Sequence, residues 1–171
     1  MITMILSDVE IRKLILEHDP PLIEDYINLD VQLQPAGFDL TLKTIHVFND
    51  AGVIDFDNKL RRIPRYTELS FKKNKVELKQ GSYLVTFNEK VNIPPFLVAI
   101  GRPRSSLLRS GATVHTALWD PGYRGRSRAL LVVFNENGIT LYKNARLLQL
   151  VFFRLEIKPG KLYSGIYLEE K

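Results

Sequence analysis

Between residues 119 and 128 the chain runs WDPGYRGRSR: one carboxylate, Asp120, beside Arg124, Arg126 and Arg128. A lone carboxylate among guanidinium groups can take a proton from water while the cations hold an anion. Arginine is not spread evenly. Arg102, Arg104, Arg109, Arg124, Arg126 and Arg128 fall within residues 101–128, a span without lysine. Guanidinium forks match phosphate oxygens, so the cluster points to a phosphorylated ligand; the plain alternative is a solvated basic face. Upstream, GRPRSSLLRSG predicts a short helix near 103–110, with Pro103 in its first turn and Gly111 as its stop. Ser105 and Ser106 then sit at the helix N-terminus, where free N–H groups suit phosphate oxygens. If they do not bind ligand, Ser105 is a cap and Arg104 a surface charge. QPAGFDL, residues 34–40, reads as a turn entering a strand, with Gly37 free to take an unusual dihedral. Asp39 at that strand mouth suits a hydrated divalent cation, or caps the turn.

These residues need a frame. SDVEIRKLILEHD reads as the one clear helix. Ser7 and Glu10 form a capping box, Val9, Ile11, Leu14, Ile15 and Leu16 supply the apolar stripe, and Pro20-Pro21 ends it. From residue 32 onward the pattern shortens to alternating runs. DLTLKTIHVF, SYLVTF, FLVAIG, RALLVVF and ARLLQLVFFRLEI predict strands; NDAG, KQGS, NENG and KPGK predict turns. Many short strands at this spacing predict a mainly β protein, a barrel or sandwich. The charge-rich stretch 57–79 reads as a solvated hairpin or loop.

The 171 residues suffice for one domain with a sizeable core, and 45% apolar content fits a globular chain. No run approaches a membrane span, and the N-terminus lacks the pattern of a signal peptide. The chain has no cysteine, which excludes disulfides, thiolate metal sites and cysteine nucleophiles. A cytoplasmic location is expected. The net charge of +5 suggests an anionic partner, nucleic acid or phosphorylated small molecule.

PAGFDL, RSSLLRSG, WDPGYRG and ARLLQLVF occur in this order over residues 34–152. Together they resemble the first four motifs of the dUTPase and dCTP deaminase superfamily. The N-terminal ILSDVEIRKLI and the terminal YSGIY resemble its deaminase-like branch, and the closest resemblance is to archaeal dUTPases. The resemblance implies a single domain over 1–171, a distorted β-barrel with jelly-roll character, and a C-terminal arm over 160–171. It also implies a homotrimer with nucleotide sites between subunits, and Mg²⁺ accompanying the triphosphate. Deaminases of the branch carry a catalytic glutamate ten residues after the motif-three aspartate, where this chain has Leu130; the nearest acid, Glu136, comes later. Leucine cannot shuttle the protons that deamination needs. The segment GATVHTALWD is also two residues shorter than in deaminases, and its length resembles dUTPases.

The resemblance therefore implies a dUTP diphosphatase, which limits uracil in DNA and supplies dUMP. It makes Asp120 the group that activates water and holds the sugar 3′-OH. Arg104, Ser105, Ser106, Arg109 and Gln149 would contact phosphate. Tyr123 would pack under the deoxyribose. Thr116, Ala117 and Trp119 would border the base, with backbone groups of 113–119 meeting uracil O4 and N3–H. Asp39 would hold Mg²⁺ through water, and Tyr163 and Tyr167 would reach the nucleotide. Leu168 and the acids after it stand where the branch carries glutamine. Tyr123, Trp119 and Gln149 can each also be plain core residues, and His115 reads as a loop residue. The alternatives are a dCTP deaminase or bifunctional deaminase-diphosphatase, and, in another class, a nucleic-acid-binding β-protein. The arginines cluster in one segment instead of alternating with aromatics, so direct nucleic-acid binding is not expected.

Overall fold

In the computed structural model, which describes residues 4–169, alternating segments become strands because alternation buries one face of each. In chain order the elements are α1 (Asp8–Leu16), β1 (Ile23–Glu24), α2 (Leu29–Gln32), β2 (Leu33–Gln34) and β3 (Gly37–Phe48). Then come β4 (Tyr66–Glu68), β5 (Lys75–Leu78), β6 (Gly81–Asn92), β7 (Leu97–Pro103) and α3 (Ser105–Arg109). β8 (Ala112–His115), β9 (Arg124–Val133), β10 (Ile139–Tyr142) and β11 (Arg146–Arg154) complete the chain.

The main sheet runs β7-β11-β3-β6-β9-β8, and β5 and β10 form a separate pair. A bridge between Ala99 of β7 and Trp119, just after β8, links the two ends of the sheet. The result is a nearly closed, barrel-like, mainly β fold, as expected. Its core is filled by Phe38, Leu40 and Leu42 of β3, Phe87 of β6, Leu97 of β7, Leu131 of β9 and Phe152 of β11, all fully buried. Each such side chain contributes roughly 1.5–3 kcal/mol by leaving water.

The capping box at Ser7 forms with both reciprocal bonds, to and from Glu10. The helix ends earlier than the prolines suggest, at Leu16 with Glu17 as its cap. Only Ile11 and Ile15 of its expected stripe are buried; Val9 and Leu16 face solvent. The stretch 57–79 is more than a solvated loop. It holds β4 and β5, buries Val76 and Leu78, and brings Tyr66 against His46 with ring centroids 5.0 Å apart. His115 lies in β8 rather than in a loop. Among the described residues, no helix is long and apolar enough to cross a membrane.

Candidate active site

The DPGY segment is a β-turn: the Tyr123 amide donates to the Asp120 carbonyl at 3.0 Å, with Gly122 at φ +87°. Proline then glycine at the two central positions is the type II pattern, since only glycine takes that φ without strain. Ile93 clamps the turn from outside, accepting from Gly122 at 2.9 Å and donating to Tyr123 at 2.8 Å. Local sequence thus fixes Asp120 and Tyr123 relative to each other.

β8 and β9 pair from Ala112↔Val133 to His115↔Leu130 and then separate. A cavity of about 520 Å³ opens beside this split. Ala117, Leu118, Trp119, Asp120, Tyr123, Ser127 and Arg128 line it, together with Leu84, Ile63 and Tyr66. Tyr163 and Tyr167 of the C-terminal segment also line it. Trp119 Nε1 donates to Ser127 Oγ at 2.5 Å, and Ser127 Oγ lies 3.4 Å from the Tyr123 hydroxyl. Trp119 and Tyr123 are therefore both core residues and cavity walls. Tyr163 stacks edge-on against Tyr123 with centroids 5.5 Å apart, and its amide donates to the Pro121 carbonyl at 2.8 Å.

Of the base-bordering residues, Ala117 and Trp119 line the cavity. The Thr116 methyl instead lies close to Gly101 of β7, 3.1 Å from where a Cβ there would be. Residues 113–115 pair with β9, and Trp119 exchanges both backbone bonds with Ala99. Residues 116–118 lie outside both of these pairings.

The expected phosphate residues gather elsewhere. Arg104 caps α3, Ser105 and Ser106 open it on the exposed surface, and Arg109 closes it. Pro103 is the last residue of β7 and pairs with Leu148, so the helix starts two residues later than its sequence suggests. Gly111 follows the cap at φ +74°, the left-handed stop expected of it. Gln149 of β11 sits in register between Asp39 of β3 and Arg102 of β7. Among the described residues, none of Asp39, Arg104, Ser105, Ser106, Arg109 and Gln149 lines the cavity.

Asp39 is almost fully buried, and its Oδ2 accepts from Arg104 Nη1 and, at 3.2 Å, from Arg146 Nη1. Arg146 is a partner the sequence reading did not single out. Burial, then the Arg146 charge, lowers the Arg104 pKa. Gly37 acts through space rather than through its dihedral. A Cβ there would collide with the Leu150 carbonyl and approach Gln149 Nε2 to 2.9 Å, so glycine lets β3 and β11 close. Among the described residues no cluster of three or more His, Cys, Asp or Glu side chains forms a metal cage. With its carboxylate buried and ion-paired to Arg104 and Arg146, Asp39 is no direct ligand; a divalent cation could reach it only through water.

Sequence reasoning missed Glu89 as well. It is fully buried, and its carboxylate accepts from Gln32 Nε2 at 2.7 Å, Thr41 N at 2.9 Å and Thr41 Oγ1 at 2.5 Å. Gln32 also donates to the Asp39 carbonyl at 2.9 Å. The network thus holds β3 at the Asp39 carbonyl and at Thr41. A signal was present: Glu89 shares the period-two phase of buried Val85, Phe87 and Val91, an acid at an apolar position. Burial raises the Glu89 pKa above its ordinary 4.5, against the hydrogen bonds from Thr41 and Gln32 that lower it. A raised folded pKa gives stability that is complete below the unfolded value and lost as pH rises through the folded one. Glu89→Gln cannot ionise, so its melting temperature should gain on wild type as pH climbs from about 4 to 8. Circular-dichroism melts across that range check this, and a pH-independent difference would exclude the buried charge as the cause.

Leu130 occupies an outward position of β9 at 36% exposure, paired with His115 and Leu84. The neighbouring inward residues Ala129 and Leu131 carry the core. A glutamate placed there would meet solvent rather than the core.

The model of the dCTP deaminase-like family matches residues 5–155. The probable deoxyuridine 5′-triphosphate nucleotidohydrolase of Methanosarcina mazei is 50% identical over 167 residues, 97% of this chain and 97% of that protein. The deoxyuridine 5′-triphosphate nucleotidohydrolase of Methanocaldococcus jannaschii is 43% identical over 138 residues, 80% of this chain and 86% of that protein. Among solved structures, the 2′-deoxycytidine 5′-triphosphate deaminase from Agrobacterium tumefaciens is similar with a TM-score of 0.67 at 26% identity. The match covers 90% of this chain and 48% of that one, so this chain spans about half its length. With the motif order, the barrel and the turn-held Asp120 all in agreement, the chain belongs to the dCTP deaminase-like family.

Proposed function

We propose that the protein is a dUTP diphosphatase, converting dUTP and water to dUMP and pyrophosphate. The observation that carries this reading is the cavity where Asp120 and Tyr123 are held by one turn, followed by strand β9, whose Leu130 offers no acid for deamination. Asp120 orients a water and takes its proton as the oxygen attacks the α-phosphorus in line; the α–β bridging oxygen leaves with pyrophosphate. The Tyr123 ring lies under the deoxyribose and leaves no room for a 2′-hydroxyl. Arg104, Ser105, Ser106, Arg109 and Gln149 hold phosphate oxygens and offset the charge that develops on them.

The nucleoside cavity and the phosphate cluster do not share a lining within one chain. That separation supports a homotrimer in which one subunit supplies Asp120 and Tyr123 and its neighbour supplies the Arg104 cluster. Mg²⁺ is the cofactor of this proposal: it would supply charge neutralisation at the phosphates, and Asp39 would be the residue that holds it, through water. Because Tyr163 and Tyr167 already line the cavity, the C-terminal arm packs on the nucleoside in this scheme. The nucleotide-pool substrate makes the cytoplasm the compartment, with no membrane or nucleic-acid partner.

The test is product analysis. Protein incubated separately with dUTP and dCTP should release pyrophosphate from dUTP and no ammonia from dCTP. Leu130→Glu should fold with little loss of stability, since the site is half open, and should still release no ammonia. The short 111–120 loop leaves cytosine and water misaligned, and a misplacement of about 1 Å costs roughly 10²-fold. Ammonia from the wild-type chain at a rate matching its pyrophosphate release would overturn the diphosphatase reading in favour of a bifunctional enzyme.

A further inference from the structure

We propose that Arg128 reads the 4-oxo group of the pyrimidine and separates a uracil ring from a cytosine ring; this rests on the diphosphatase reading of the same cavity. The β8–β9 register ends at His115↔Leu130. Continued for two more residues, it would set Ala117 opposite Arg128. The strands part there, and Ala117, Leu118 and Arg128 all line the cavity beside the split. A flat ring inserted in that split has the backbone of 116–118 on one side and the Arg128 guanidinium on the other.

The chemistry of Arg128 is one-sided. A guanidinium donates hydrogen bonds, accepts none, and stays charged at any working pH. Uracil presents an acceptor oxygen at C4, whereas cytosine presents an amino group that donates. The first meets Arg128 with a charge-assisted hydrogen bond; the second meets it donor to donor, which is rejection by repulsion as well as by lost attraction.

Arg128 is also held. Its Nη1 donates to the Tyr66 hydroxyl, and its Cζ lies 5.0 Å from the Tyr66 ring centroid. Tyr66 is braced in turn by the His46 ring, edge-on at 5.0 Å, and His46 Nε2 lies 3.9 Å from Glu68 Oε2. A guanidinium fixed by both a hydrogen bond and a cation–π contact discriminates better than a mobile one, because it cannot turn away from the wrong partner. Tyr66 is a positioning residue in this scheme. Its strand β4 falls in the stretch that the sequence presents as a solvated loop.

The experiment measures kcat/KM for pyrophosphate release from dUTP and from dCTP by the full chain and by Arg128→Met and Tyr66→Phe. Arg128→Met should reduce the dUTP-over-dCTP preference by ~10- to 100-fold, the usual worth of one hydrogen bond to a charged group. Tyr66→Phe, which keeps the ring and removes the acceptor, should give a smaller reduction. A substrate-side measurement needs no variant: the wild-type chain should lose at least that factor on the deoxynucleoside triphosphate of 2-pyrimidinone, which lacks the 4-oxo group and with it the N3–H. An unchanged dUTP-over-dCTP ratio in active Arg128→Met, or full wild-type activity on the 2-pyrimidinone analogue, would overturn the role of Arg128 alone. If the wild-type chain releases no pyrophosphate from dUTP, the diphosphatase reading itself falls and takes this inference with it.

Discussion

Asp120→Asn should bind dUTP within about tenfold of wild type and turn it over ~10² to 10⁴ times more slowly, the typical worth of a positioned general base. Asparagine keeps the shape of the side chain, and the turn beneath it is held by backbone bonds that the substitution does not touch: Asp120 to Tyr123 at 3.0 Å and Gly122 to Ile93 at 2.9 Å. The cavity geometry should therefore survive, leaving the loss in the chemical step. Binding of an α,β-imido dUTP analogue and single-turnover pyrophosphate release separate the two quantities. Near-normal single-turnover rates would remove Asp120 from the mechanism.

Arg104→Met should raise the KM for dUTP by ~10- to 100-fold, through loss of a charge-assisted phosphate contact. It should also lower the melting temperature, because Arg104 and Arg146 together neutralise the Asp39 carboxylate, which is only 1% exposed. Removing one partner of a buried ion pair leaves a charge that burial penalises. The two effects can be separated with the double variant Asp39→Asn/Arg104→Met. Asparagine removes the stranded charge, so stability should recover while KM stays high. Recovery of KM along with stability would show that Arg104 serves only to hold Asp39.

The four motif segments were legible in the sequence because their chemistry is local. DPGY forms its turn from residues within four positions, with Gly122 taking the φ that the turn requires. Ser7 and Glu10 close their capping box three residues apart. The long strands announce themselves by alternation, since burial of one face needs nothing beyond the strand's own phase. The shorter β4, β5, β8 and β10 hold three or four residues each, too few for a period-two pattern to stand out from a polar loop.

By itself, then, the sequence determined the mainly β class, a barrel or sandwich, the N-terminal helix with its cap, the turn that carries Asp120, and the absence of an acid at Leu130. The tertiary structure alone decided which groups meet across long separations. It brought Arg104 to Asp39 and Arg128 to Tyr66, pairs 65 and 62 residues apart, and joined Glu89 to Gln32 across 57. Those contacts depend on strand register and on bulges, such as the shift in β6–β9 pairing between Thr86 and Lys90. A register slip of one residue turns every side chain of a strand to its other face. Composition is blind to such a slip, so only the assembled barrel could separate the cavity at Asp120 from the Arg104–Asp39 cluster and set Arg128 beside the split.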